Sequence, residues 1–219
     1  MEKKDLIAHS PVRYFDNATS AALKDGEMGL VTAKKGLGKT SILVQFGIDS
    51  LLNDKALVHV SFDQQSSNVI AWYSSVMAEI AKKKSFNLDE VSEEIVRNRT
   101  ILNFNQETFT LPKVVNTLKA LKEGGIKIAA VVVDGLDLAK TSKADLDCFA
   151  DFVKAEKMTA WFRYTNEAAD LKGTLEADKL ADFATVGHLA ANGNALSLSI
   201  LKNGDGKANL DAKTLLFTK

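Results

Sequence analysis

Residues 28–52 read MGLVTAKKGLGKTSILVQFGIDSLL, and strand, loop and helix follow one another in them without a gap. The run MGLVTA (28–33) has the apolar, β-rich character of a buried strand. The basic loop AKKGLGKTS (33–41) follows at once. Ile42, Leu43, Phe46, Gly47 and Leu51 then fall on one face at helical spacing. Such an order gathers several backbone N–H donors and a helix N-terminus around one point, which is what a phosphate chain requires. Gly36 and Gly38 let the backbone wrap tightly with no Cβ in the way. The pattern GxxxxGK[ST] is met except at its first position, where Ala33 makes the smallest substitution for glycine. The expected phosphate-binding residues are therefore Lys35, Gly36, Leu37, Gly38, Lys39, Thr40 and Ser41. In this reading Lys39 reaches the β- and γ-phosphates of ATP, and the Thr40 hydroxyl helps to hold Mg²⁺. Lys34 and Lys35 either add positive field at the phosphates or stand in solvent as ordinary surface lysines.

Apolar runs alternate with helical patterns on both sides of this stretch, as in a parallel sheet with crossover helices. Strands are expected at 28–33, 56–62, 100–104, 128–134 and 159–165, and helices at 39–52, 67–83, 88–97, 111–123 and 143–157. The strand IAAVVVD (128–134) is apolar at successive positions, so it is expected to be buried on both faces. It ends in Asp134, an acid placed to orient the metal. Asp137 serves equally well as a second metal group or as a helix cap. The last third reads as strands at Phe183–Leu189, Ala195–Leu201 and Lys213–Phe217, with NGDGKANLD as a turn region between the last two. These strands are read as an antiparallel extension of the sheet. With two prolines, no repeat and no low-complexity tract, residues 1–219 are read as one nucleotide-binding domain.

The loop GLGKTSILVQF, the segment VHVSFDQQ and the strand end DGLD resemble the RecA/KaiC-like branch of P-loop ATPases, a branch that includes DnaB-type helicases. The likeness runs over roughly residues 10–217 in order of elements, and only the phosphate loop is specific at the level of a motif. It implies a RecA-like, three-layer α/β/α fold with a mostly parallel central sheet and a C-terminal antiparallel hairpin. It also implies a catalytic acid just after the second strand, normally glutamate. Asp63 occupies that place here, about 1.5 Å shorter in reach. Capping of the helix beginning near Ser66 is an equal reading of the same residue. A polar residue after TAWFRYT that feels the γ-phosphate is implied as well, and Asn166 matches it. Arg163, inside that strand, either approaches the nucleotide or is a surface or salt-bridging arginine.

In hexameric relatives a Lys-x-Arg on the terminal hairpin reaches the neighbouring subunit's nucleotide. The matching segment ILKNGDGK holds Lys202, with Gly204 in the arginine's place. An arginine finger is worth roughly 10³–10⁵ in rate, so slow or partner-dependent ATP hydrolysis is expected. A nucleotide-switched regulatory or scaffold module without turnover is the alternative, a DNA-binding recombination or helicase accessory ranks last, and a homo-oligomer, a hexamer, is expected by analogy alone.

Composition limits the other classes. Lys plus Arg and Asp plus Glu are 28 each, a balance that speaks against a dedicated nucleic-acid binder. The N-terminus lacks the apolar core of a signal peptide, and no run of about 20 apolar residues exists, so a cytoplasmic protein with no membrane span is expected. The single cysteine, Cys148, is expected on a buried helix face. His9, His59 and His188 have no metal-ligand spacing, and His59 is read as structural.

Overall fold

The computed structural model describes residues 3–84, 93, 96–170 and 175–219. Strand β1 (Met28–Ala33) is buried along its whole length. It lies between two parallel neighbours, β5 (Thr159–Thr165) and β6 (Thr185–Asn192). Beyond β5 come β4 (Ile128–Asp134), β2 (Ala56–Ser61) and β3 (Arg99–Asn103), all parallel. Beyond β6 the direction reverses with β7 (Ala195–Lys202), β8 (Lys207–Leu210) and the short β9 (Phe217–Thr218). The nine strands run in the order β3-β2-β4-β5-β1-β6-β7-β8-β9.

Two apolar layers close on this sheet. One face carries α1 (Lys3–Ala8), α2 (Val12–Thr19), α3 (Lys39–Leu52) and α4 (Ser66–Lys84). The other carries α5 (Leu111–Glu123), α6 (Lys143–Ala155) and α7 (Ala177–Ala181). Strand alternation sorts the residues between the layers. Val31, Val132 and Trp161 face the α3 side, while Leu30, Val131, Val133 and Phe162 face the α6 side. Trp161 stacks on Phe46 of α3 with centroids 4.2 Å apart, and Phe15 of α2 packs edge-on against both rings. This aromatic group fixes the height at which α3, and the loop before it, stands above β1.

The parallel core has the expected strands within a residue or two at their ends, and the departures lie elsewhere. α1 and α2 have no counterpart in the expectations. Lys213–Phe217 is not a strand: residues 212–214 form a turn, because the Asp211 carboxylate accepts the amides of Lys213 and Thr214 at 2.9 Å each. Pairing resumes only at Phe217. Conversely, the stretch read as a turn region contains β8, whose Ala208 and Leu210 alternate inward against β7. β6 belongs to the parallel set, so the antiparallel part begins at β7. Cys148 is exposed, because the buried arc of α6 runs through Leu146, Phe149, Phe152 and Val153 and stops one step short of it. The helix expected at 88–97 falls largely outside the described residues.

Candidate functional site

The carboxyl ends of β1, β2, β4 and β5 meet at one edge of the sheet, the usual place for a ligand in open α/β folds. β1 delivers the loop 33–41 there. Gly36 and Gly38 hold φ values of +83° and +97°, in the left-handed region that disfavours any other residue. Gly38 is the N-cap of α3 and offers no side chain to the helix amides. Ile42 N–H donates to Gly38 C=O at 3.3 Å, so the amides before it are the orphan donors of a helix N-terminus. A helix macrodipole adds to their pull on an anion.

Lys39 opens α3 and is 5% exposed. Its ammonium donates to the carbonyls of Ala33 (2.9 Å) and Lys34 (2.8 Å), curling back over its own loop. Burial first, and then the field of Arg163, lower its pKa to about 8, with Glu167 opposing. An anion arriving at this loop would favour the charged form.

Leu215 lies against Gly38: a Cβ placed there would come within 2.7 Å of its Cδ1. Gln45 holds that segment in place. Its Nε2 donates to Leu215 C=O at 2.8 Å and its Oε1 accepts Phe217 N–H at 2.9 Å. The C-terminal segment is thereby tied to the helix that follows the loop, a role for Gln45 that periodicity alone does not signal.

Asp134 ends β4 fully buried, on the α3 side of the sheet. β5 lies between β4 and β1, yet the Thr40 hydroxyl still reaches Asp134 Oδ1, donating across 3.4 Å. The same oxygen receives Arg163 Nε, and Arg163 Nη2 donates to Asp63 Oδ2. Asp63 follows β2, and its carboxylate lies directly over the backbone of Gly135, where a Cβ would overlap it. With φ +83°, Gly135 is doubly required. Arg163 is thus the salt-bridging arginine of the sequence reading, although its side chain is only 16% exposed.

Asp134 Oδ2 turns the other way. It has no hydrogen-bond partner among the described residues, and His59 Nε2, also unpartnered, stands 3.9 Å away. Burial, Arg99 and Arg163 hold the His59 pKa down to about 3, so the ring is neutral. Its Nδ1 lies 3.1 Å from the Tyr73 hydroxyl, and Arg99 sits over the Tyr73 ring at 4.5 Å.

Asn166 follows β5 and is 2% exposed. Its backbone N–H donates to Ala33 C=O at 3.0 Å, at the start of the loop 33–41. Its side chain is engaged in its own turn, with Nδ2 donating to Asp170 C=O at 2.7 Å and Oδ1 accepting Ala168 N–H at 3.2 Å. Lys202 lies at the opposite end of the sheet, paired with Val186, and its ammonium donates to the carbonyls of Leu180 (2.8 Å) and Ala181 (3.1 Å). The turn after it is pressed on α2, so that a Cβ at Gly206 would overlap Ala18 C=O and one at Gly204 would come within 3.1 Å of Thr19 C=O.

A family model described as "ATPase: KaiC" matches residues 8–190. The chain belongs to the KaiC-like family of P-loop ATPases. Membership in this KaiC-like family implies nucleotide binding, and the match covers β1 through most of β6, including the carboxyl ends of β1, β2, β4 and β5. β7, β8 and β9 lie beyond it. Comparison of this KaiC-like chain with curated proteins finds no match. Among the described residues no helix is long and apolar enough to cross a membrane.

Proposed function

We propose that the chain, as one nucleotide-binding unit over residues 1–219, binds ATP with Mg²⁺ and hydrolyses it slowly or only with a partner. The amides of residues 35–41 and the ammonium of Lys39 hold the phosphates. Thr40 and Asp134 hold the metal, Asp63 is the candidate carboxylate for the attacking water, and Asn166 senses the terminal phosphate.

The donor set suits both ligands. Orphan helix amides and a buried ammonium held by two carbonyls are unmet valences for an anion. A hydroxyl and a carboxylate converging at 3.4 Å are hard oxygen ligands of the kind magnesium takes alongside phosphate oxygens. When bound, the metal would neutralise charge on the phosphates and help align them.

One observation carries the slow or partner-dependent part: the Asp63 carboxylate is spent on Arg163. A carboxylate oxygen that receives a guanidinium has that lone pair turned away from an attacking water. The Asn166 amide is likewise committed to its own turn. Lys202 is held by carbonyls of its own chain, and the hairpin turn where an arginine finger would sit is packed on α2. A productive partner would therefore have to free Asp63 or supply a cation.

Steady-state phosphate release tests the reading. Slow turnover is expected for the isolated chain, falling to background in Asp63→Ala while ATP binding is kept. A wild-type rate already at background, unchanged in Asp63→Ala and under every added partner, would leave a nucleotide-switched module without turnover.

A further inference from the structure

Arg163 stands two residues beyond Trp161 on β5, so alternation sends its side chain to the same α3 face, here at the strand ends instead of in the core. Its fork meets two carboxylates, with Nε on Asp134 Oδ1 and Nη2 on Asp63 Oδ2. The oxygen it takes from Asp134 is the one that faces the Thr40 hydroxyl. The second oxygen of Asp134, Oδ2, is turned away into the interior, buried and 3.9 Å from His59 Nε2. Oδ1 takes both the Thr40 hydroxyl and the Arg163 guanidinium, so its two lone-pair directions are filled and a divalent cation with its waters must displace one of them.

We propose that Arg163 is a resident counter-cation that gates the metal: it holds Asp134 and Asp63 in the nucleotide-free chain and must release Asp134 before magnesium can be held with the triphosphate. This rests on the assignment of Thr40 and Asp134 to the metal. Two consequences follow. Part of the magnesium contribution to triphosphate affinity is used in breaking the Arg163–Asp134 pair. Released from Asp134, the guanidinium is left with Asp63 alone, so metal loading by itself does not free the candidate base.

The test is calorimetric titration of ATP into the full chain, once in EDTA and once in saturating Mg²⁺, for wild type, Arg163→Met, Arg163→Lys and Lys39→Ala. Circular dichroism establishes that each variant is folded. In Mg²⁺, Arg163→Met is expected to bind ATP about tenfold more tightly than wild type, the fold-change that goes with one charge-assisted hydrogen bond. In EDTA it is expected to bind no more tightly than wild type. Arg163→Lys keeps the charge but cannot bridge two carboxylates, so its Mg²⁺ affinity moves the same way by less. It decides the matter if Arg163→Met does not fold. Magnesium-dependent affinity that stays equal or weakens in the folded variants would overturn the gate and make Arg163 a phosphate contact or a structural bridge. If wild type takes up ATP, Lys39→Ala abolishes uptake, and only the tightening fails, the gate alone is lost. If wild type binds ATP in neither condition, the nucleotide reading falls and the gate with it.

Discussion

Lys39 offers a sharp test because its ammonium has little besides two backbone carbonyls to hold its proton. Its pKa of about 8 means that ATP affinity depends on pH where an ordinary lysine would leave it flat. Bound phosphate favours the charged form and raises that value, so binding takes up a proton. Affinity is then full below the empty-chain value and is lost as pH rises through it. Roughly nine-tenths of the chains carry the charge at about pH 7 and roughly one-tenth at about pH 9, so affinity falls about tenfold between them. The assay is isothermal titration of ATP in Mg²⁺ at fixed ionic strength, repeated in two buffers of different ionisation enthalpy to count protons. Lys39→Arg cannot titrate in this range and gives a flat profile. Glu167→Gln removes the group that opposes the shift, so its fall begins at lower pH. The empty chain carries the reciprocal signature. Its unfolded form holds more protons between about pH 8 and about pH 10.4, so its stability rises with pH across that window. A wild-type affinity constant from about pH 7 to about pH 9, with no proton uptake, would refute the assignment of Lys39 as the buried phosphate ligand.

Two further substitutions probe the frame around the loop. Gly135→Ala places a Cβ on a left-handed backbone and into the Asp63 carboxylate; a loss of about 1–3 kcal/mol in urea unfolding is expected, and a loss within error would contradict the close approach. Gln45→Leu leaves Leu215 C=O and Phe217 N–H without partners; about 1–3 kcal/mol of stability goes, and hydrogen exchange at residues 211–218 rises ahead of the rest of the chain.

Much of the parallel core was legible because its signals are local. The apolar strand β1, the helical face of α3 and the glycine loop between them sit within 25 consecutive residues, and the apolar run ending in Asp134 marks β4 unaided. Less local features escaped. The spacing of Val12, Phe15 and Thr19 on α2 is a helical signal, but α2 covers barely two turns and owes its stability to Phe46, Trp161 and Phe217, which lie far off in sequence. The C-terminal turn was missed because Asp211 competes for strand amides with its side chain, a choice that β propensity does not register. Arg163 was half legible: alternation from Trp161 fixes its face, but the two carboxylates it joins come from β2 and β4, and only the strand order brings them together. His59 is structural in the sense expected, with an unexpected neighbour in Asp134.

Thermal unfolding with and without MgATP, on wild type and Lys39→Ala, bears most directly on the phosphate loop. At a hundredfold excess over Kd, ligand binding adds about 2.7 kcal/mol, which for a chain of this size raises Tm by about 5–10 °C. That rise is expected in wild type and absent in Lys39→Ala. No shift in wild type, or an equal shift in both proteins, would contradict the claim that this loop grips a triphosphate.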